Sequence, residues 1–209
     1  MIISCRLFAA AVVLGIFAVS MSGVMAQQQT APPLRVVRFN GDMTSLLAEM
    51  PNAFGVTIGL ELDPQRYHRI EMDLSDATIT DVMNALVQSS KTYQFRQNGR
   101  FIEIWPLAGS NPLLDTRISS FNVKDLTASQ AFDQLLNLPE VQGSMTNLNL
   151  KRRAPDVSPG KVSSFTFSLN LEGVTLREAL NRIAQESHIE IWIFRNYPNG
   201  FFSISSGER

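Results

Sequence analysis

The side chains that could do chemistry in this sequence are few and far apart. It has one cysteine, Cys5, and two histidines, His68 and His188. A zinc site needs two or three nitrogen or sulfur ligands that converge on one point. The acidic group nearest to a histidine supplies only one such ligand; it consists of Glu61, Asp63, His68 and Glu71. We interpret this group as a solvated turn between two strands, because charged residues are mostly exposed.

Motifs of covalent catalysis and of nucleotide binding are missing from the sequence. It contains no Gly-x-Ser-x-Gly nucleophile elbow and no glycine loop of the kind that cradles phosphates. We therefore predict that the protein is not an enzyme and that it uses no cofactor and no metal ion.

Two groups of residues remain as candidates for binding. Lys151, Arg152 and Arg153 lie in a stretch, residues 151–160, that we predict to be an irregular, solvated loop. They could contact an anionic surface such as lipid headgroups, where each charge contributes about 1 kcal/mol, although such runs more often serve solubility. Four aromatic residues could stack against sugars, but at strand spacing aromatic residues more often fill a core. They are Trp105, Trp192, Phe201 and Phe202.

The elements that must position these residues occur twice. Residues 70–86 match residues 167–183 at a constant offset of 97. In both copies a strand with alternating apolar residues leads into a helix with apolar residues at i, i+3, i+4 and i+7. Each helix begins with the spacing of a capping box, in which a hydroxyl and a carboxylate satisfy free amides. The two pairs are Thr78 with Asp81 and Thr175 with Glu178.

A hairpin is predicted after each of these helices. Residues 93–105 and 189–205 each hold an Asn-Gly pair, at positions 98–99 and 199–200, and this pair favours the positive φ angles of tight turns. The second pair lies 101 residues after the first, which predicts a loop four residues longer. His188 takes the place of Lys91, so we expect an exposed histidine beside a helix C-terminus.

The first halves of the copies correspond more weakly. Phe-Asn pairs at residues 39–40 and 121–122 precede a helix in each copy, at an offset of 82. The change from 82 to 97 predicts a fifteen-residue insertion in the second copy, near residues 141–162. In the first copy, Pro51 predicts that the helix ends or kinks after Met50.

The whole pattern predicts an α+β fold of two tandem βαββαββ modules, each with two helices packed between small β-sheets. The first module covers residues 34–106 and the second covers residues 116–206. Residues 107–115 are predicted to be a linker, and residues 27–33 a flexible leader.

The element order and residues 171–180, LEGVTLREAL, resemble the short N-terminal domain of secretins and TonB-dependent transducers, also called the secretin N0 domain. Residues 74–83 form a looser version of its Thr-Leu-x-x-Ala-Leu motif, and the resemblance covers nearly all of both copies apart from the insertion. It implies a periplasmic domain that binds protein partners of a secretion or signalling machine. Because no secretin core or barrel follows residue 209, we expect an interaction module without a pore.

The N-terminus has the pattern of a secretory signal peptide. Arg6 precedes an apolar stretch at residues 7–19, and Val24 and Ala26 are small residues ahead of a cleavage site. We predict cleavage after Ala26 and a periplasmic location. The alternative is an N-terminal membrane anchor. Cys5 precedes the apolar stretch, so we expect neither a lipoprotein anchor nor a disulfide.

The charge balance and the repeat together predict the function. The chain has 18 basic and 19 acidic residues, and loss of Arg6 with the signal peptide changes the net charge from −1 to −2. Nucleic-acid binders are usually basic, so we expect no nucleic-acid partner. We predict a non-catalytic periplasmic protein-interaction module, an adaptor or accessory of an envelope secretion, transport or signalling complex. A partner either adds a strand to a sheet edge or docks on a helix face. The alternative is a glycan- or lipid-surface-binding protein in peripheral contact with the outer membrane or peptidoglycan.

Overall fold

The computed structural model describes residues 34–63, 69–153 and 164–207 of the 209-residue chain. These residues belong to one compact unit and form five α-helices and ten strands. The predicted α+β class is confirmed. The predicted signal peptide and leader lie outside the described residues. Among the helices of the described ranges, none is long and apolar enough to cross a membrane.

The first module contains five strands and two helices. They are β1 (Leu34–Asp42), α1 (Met43–Phe54), β2 (Thr57–Leu62), β3 (Arg69–Ala77), α2 (Ile79–Ser90), β4 (Tyr93–Asn98) and β5 (Phe101–Pro106).

The second module begins after a 3-10 helix at Pro112–Asp115 and contains five strands and three helices. They are β6 (Arg117–Leu126), α3 (Ala128–Leu136), α4 (Pro139–Asn147), β7 (Lys151–Arg152), β8 (Phe167–Thr175), α5 (Leu176–Glu186), β9 (Ile191–Tyr197) and β10 (Phe201–Gly207). A second 3-10 turn, Pro198–Gly200, joins β9 to β10.

Both modules have the same topology. In the first, β1 pairs with β3, β4 and β5 form an antiparallel hairpin, and β2 adds to β5 in parallel. In the second, β6 pairs with β8, β9 and β10 form the hairpin, and β7 adds to β10 in parallel. The duplication read from the sequence therefore extends to the strand pairing.

The match also holds at single backbone positions. The capping boxes predicted at Thr78 and Thr175 are both formed. Three residues before α2 and α5, the backbone turns into the left-handed region, and it does so again after each helix. These positions, each pair 97 residues apart, are Asp76 and Gly173 before the helices, and Lys91 and His188 after them.

The two hairpin sheets join into one six-stranded sheet in the order β4-β5-β2-β9-β10-β7. At the junction β2 and β9 are parallel, with Gly59 opposite Trp192 and Leu60 opposite Ile193. The two halves keep the same strand order, but corresponding strands run in opposite directions. This is the relation produced by a half-turn about an axis that lies in the sheet and runs across the strands. Such a rotation exchanges the two faces of the sheet, so the helices of the two modules lie on opposite faces.

The hydrophobic cores follow this division. Ile58 and Leu60 of β2 face the core of the first module, together with Ile191 of the other module. Trp192 and Phe194 face the core of the second module, together with Phe101 of β5. Each core therefore includes a side chain from the sister hairpin. Successive side chains of β2 and β9 therefore point alternately into the two cores, and the centre of the sheet is buried on both faces.

Three local predictions differ from the structure. Of the two outcomes predicted for Pro51, the ending of α1 is wrong: the helix continues to Phe54, and both Pro51 and Phe54 are buried. The second hairpin loop has three residues against two in the first, so it is one residue longer and not four, and each strand of the second hairpin is also one residue longer. In the first hairpin the turn is centred on Gly99 and Arg100, one residue later than Asn98-Gly99.

The predicted insertion and linker contain ordered segments. Helix α4 and strand β7 lie within or beside residues 141–162, and residues 154–163 lie outside the described residues. Within the predicted linker, Leu113 and Leu114 are fully buried in the core of the second module.

Candidate functional site

The basic run lies on a strand, not in the predicted loop, and this decides where its side chains point. Lys151 and Arg152 form β7, with Lys151 beside Phe201 and Arg152 beside Phe202. Because successive side chains of a strand point to opposite faces, Lys151 and Arg153 share one face and Arg152 takes the other.

Arg152 is held on the side of the second module's core. Its Nη2 lies 2.5 Å from Oδ1 of Asp133 on α3, and its side chain is 30% exposed. Arg152 is therefore held by a partner on α3, whereas Lys151 is exposed and Arg153, also exposed, contacts the Tyr197 ring.

The register of β9, β10 and β7 brings further residues to the face of Lys151 and Arg153. Tyr197 pairs with Phe201, and Arg195 pairs with Ser203 in the neighbouring row. We call this surface the basic–aromatic face. It consists of Lys151, Arg153, Arg195, Tyr197 and Phe201, arranged around Ser203.

Ser203 is the centre of the basic–aromatic face. It is 1% exposed although it is polar, because its larger neighbours cover it. The small side chain lets Arg153 reach across β10, so that its guanidinium carbon lies 5.3 Å from the centre of the Tyr197 ring. A cation over an aromatic face is attracted by the ring quadrupole, so Tyr197 positions Arg153.

Arg195 is held by a neutral partner. Its Nη1 donates a hydrogen bond of 2.7 Å to Oγ of Ser205. The sequence interpretation missed both Arg195 and Tyr197. The sequence does contain a signal for them. Phe201, Ser203 and Ser205 alternate with the buried Phe202 and Ile204, and such alternation predicts a second face of the hairpin that lies away from the core.

The four candidate aromatic residues do not gather in one place. Trp192 and Phe202 are fully buried, as core filling predicts, and Phe202 stacks on Phe194 with ring centres 5.4 Å apart. Phe201 is 40% exposed on the basic–aromatic face. Trp105 is half-buried on β5, in the other half of the sheet.

Glu61 was interpreted as part of a solvated turn, and the structure corrects this. The residue is 4% exposed, and its Oε2 lies 2.7 Å from Nη2 of Arg177 on α5. Its other oxygen accepts a hydrogen bond of 2.6 Å from the backbone N–H of Asn111, and Ser110 donates to Oε2 at 2.9 Å. A buried carboxylate needs such partners, and here they come from the linker and the second module.

A second carboxylate crosses the same junction. Glu103 of β5 accepts hydrogen bonds from Arg96 at 3.0 Å and from the side chain of Asn181 on α5. The other end of the Asn181 amide accepts a bond of 3.0 Å from the indole N–H of Trp192. Both acids are therefore used to dock α5 onto strands of the first module.

The remaining candidates do not come together as a metal site among the described residues. These residues hold no group of three or more His, Cys, Asp or Glu that could bind a metal ion. His68 lies outside the described residues. His188 is exposed, as expected, and its ring centre lies 4.9 Å from that of Phe165. A shallow groove of about 220 Å³ at the tip of the first hairpin contains Arg100 but no acid.

Comparison with known proteins gives no match. No protein-family model, no curated protein and no solved structure matches this chain. The resemblance to the secretin N0 domain therefore stays a prediction from residues 74–83 and 171–180.

Proposed function

We propose that this protein is a non-catalytic interaction module of the periplasm, an adaptor or accessory of an envelope complex, and that its partner adds a strand to β4. The observation that supports the proposal is the position of β4 at one end of the six-stranded sheet. The outer strand of a sheet presents backbone groups that can pair with another chain.

Of the two outer strands, β4 is better suited to strand addition. It has six residues in continuous register with β5, whereas β7 has two. It contains no proline and no bulge, which are the common devices that protect an edge. Within the six-stranded sheet, a partner strand of five or six residues therefore has a template only along β4.

The hydrogen bonds between β4 and β5 show which backbone groups of β4 point away from β5. Thr92 and Leu107 form a hydrogen-bonded pair, because the N–H of Leu107 donates to the carbonyl of Thr92. The next pair, Tyr93 with Pro106, is a non-bonded pair, since proline has no N–H. Hydrogen-bonded and non-bonded pairs alternate in an antiparallel ladder. The N–H and C=O groups of Phe95 and Gln97 therefore point away from β5, toward an added strand.

Site-specific crosslinking in intact cells tests this proposal. A photoreactive residue at Gln97 is expected to give one adduct of defined size, and the same residue at Asn84, exposed on α2, is expected to give none. Phe95→Pro removes an outward N–H together with a half-buried ring that packs against the first core, whereas Phe95→Ala removes the ring alone. The adduct should therefore be lost in Phe95→Pro and persist in Phe95→Ala. An adduct that persists in Phe95→Pro, or equal crosslinking at Asn84, would contradict strand addition.

A second candidate function has its own support. The basic–aromatic face combines three cations and an exposed aromatic ring, and this favours binding to a glycan or lipid surface. The face lies at the opposite end of the sheet from β4. The two functions can therefore be tested separately.

A further inference from the structure

We infer that the basic–aromatic face binds an acidic glycan, a sugar polymer that carries carboxylate or phosphate groups. The inference rests on the second candidate function above and narrows its ligand class. It starts from the arrangement of Lys151, Arg153 and Arg195 on one side of a paired sheet.

The cations are placed to bind more than one anionic group. Arg195 and Arg153 lie on β9 and just after β7, with β10 between them, which puts their backbones about 10 Å apart. Lys151 lies one row further, beside Phe201. Neither Arg195 nor Lys151 has an acidic partner among the described residues. A guanidinium binds a carboxylate or phosphate through two parallel hydrogen bonds.

The aromatic residues have different roles. One side of the Tyr197 ring is occupied by Arg153, so Tyr197 acts as a positioning residue. Phe201 presents its ring to solvent, 40% exposed, between Tyr197 and Lys151. An exposed ring beside cations suits a ligand that alternates an apolar ring face with charged groups, as an acidic sugar does.

The backbone around the face disfavours a peptide ligand. β10 is paired with β9 on one side and with β7 on the other. A peptide lying over this face could not form strand hydrogen bonds and would be held by side chains alone. A rigid polymer that is recognised by its rings and charges loses less conformational entropy on such a surface.

The surface is also a poor membrane anchor. Interfacial binding grows with the apolar area that is inserted, and Phe201 is the exposed large hydrophobic side chain of this face. The others among the described residues lie on different segments and are Leu107, Leu148 and Phe165. The whole chain has a net charge of −1, so the face is a local concentration of positive charge and not part of a general polycation.

The test compares the three adjacent cations in a binding titration. The purified protein is titrated with polygalacturonate at about 0.1 M salt, with neutral dextran, phosphatidylglycerol vesicles and poly-glutamate as parallel probes. Lys151→Ala and Arg153→Ala should each weaken polygalacturonate binding about fivefold, since each surface charge contributes about 1 kcal/mol. Arg152→Ala removes the same charge on the other face and should change the affinity less than twofold. Phe201→Ser should weaken binding of polygalacturonate and leave any binding of poly-glutamate unchanged.

Three results would overturn the inference. They are no binding of polygalacturonate beyond that of dextran, an equal loss in Arg152→Ala and Lys151→Ala, and tighter binding of vesicles or poly-glutamate than of the glycan. Preference for vesicles would reject the glycan but leave the second candidate function in place, and no binding of any anionic probe would reject both. Lys151 is exposed, so its replacement leaves the fold intact and the comparison valid.

Discussion

At the scale of single residues, the junction between the modules depends on a glycine. Gly59 lies on β2 directly opposite Trp192, and a Cβ at this position would come 2.8 Å from three atoms of the indole ring. Trp192 is fully buried and its N–H is bound to Asn181, so the ring cannot move aside at low cost. Gly59 is required here for close approach, and not for an unusual backbone conformation.

We therefore predict that Gly59→Ala destabilises the protein by about 1–3 kcal/mol, the usual cost of overpacking a core. Gly143→Ala is the matched control, because Gly143 lies in α4 with open space around its Cα. Alanine there should be neutral or stabilising by up to about 1 kcal/mol. Urea denaturation measures both changes. A cost at Gly59 no larger than the effect at Gly143 would show that the indole does not constrain this position.

At the scale of elements, the features that could be predicted from the sequence are those formed by residues close together in the chain. The capping boxes at Thr78 and Thr175 involve residues three positions apart, and they were predictable. The predicted offset of 82 for the first halves is wrong: the pairing places Phe121 where Val37 lies in the first module, an offset of 84. A register shift between Val123 and Leu126 raises this offset to 85 at the helix, so the insertion has 97 − 85 = 12 residues and not fifteen. The apolar pattern of the strand gave no sign of that bulge.

The candidate site shows the same limit. A prediction of a strand at residues 151–153 would have placed Arg152 on the opposite face from Lys151 and Arg153. That strand was not predictable, because β7 forms only by pairing with β10, about fifty residues further along the chain. Burial of Glu61 could not be foreseen either, because its partner Arg177 lies 116 residues further along the chain. Charged residues are usually exposed, and only the packing of α5 across the module junction reverses that expectation.

The start of α1 gives a prediction about pH. Asp42 caps this helix, and hydrogen bonds from the side chains of Ser45 and Thr44 and from the Ser45 amide lower its pKa from 3.8 to about 2. A carboxylate whose pKa is lowered by folding stabilises the protein fully above about pH 4, and the contribution is lost as the pH falls toward 2.

Asp42→Asn keeps a capping side chain but cannot titrate. The difference in unfolding free energy between the wild type and Asp42→Asn should therefore shrink as the pH falls from about 4 to 2. A carboxyl-carbon NMR titration should place the pKa of Asp42 near 2. A stability difference that stays constant over this range would mean that the carboxylate is not bound as described.

At the scale of the whole molecule, two copies of one unit have become a single fold by sharing a sheet. Each copy alone is small, and small cores are only marginally stable. The shared sheet adds Ile191 to the first core and Phe101 to the second, and the Glu61–Arg177 pair closes the junction. The proposed binding surfaces lie at the two ends of this sheet, so their separation also depends on the junction.

Native-state hydrogen exchange of two neighbouring amides tests the shared sheet most directly. The N–H of Thr57 bonds to Arg100 within the first module at 2.8 Å, and the N–H of Ile58 bonds across the junction to Glu190 at 2.9 Å. If the modules share one sheet, both amides should be protected to a similar degree and should open together with the global unfolding. An Ile58 amide that exchanges freely while Thr57 stays protected would show that the two modules are separate and that the junction is not formed.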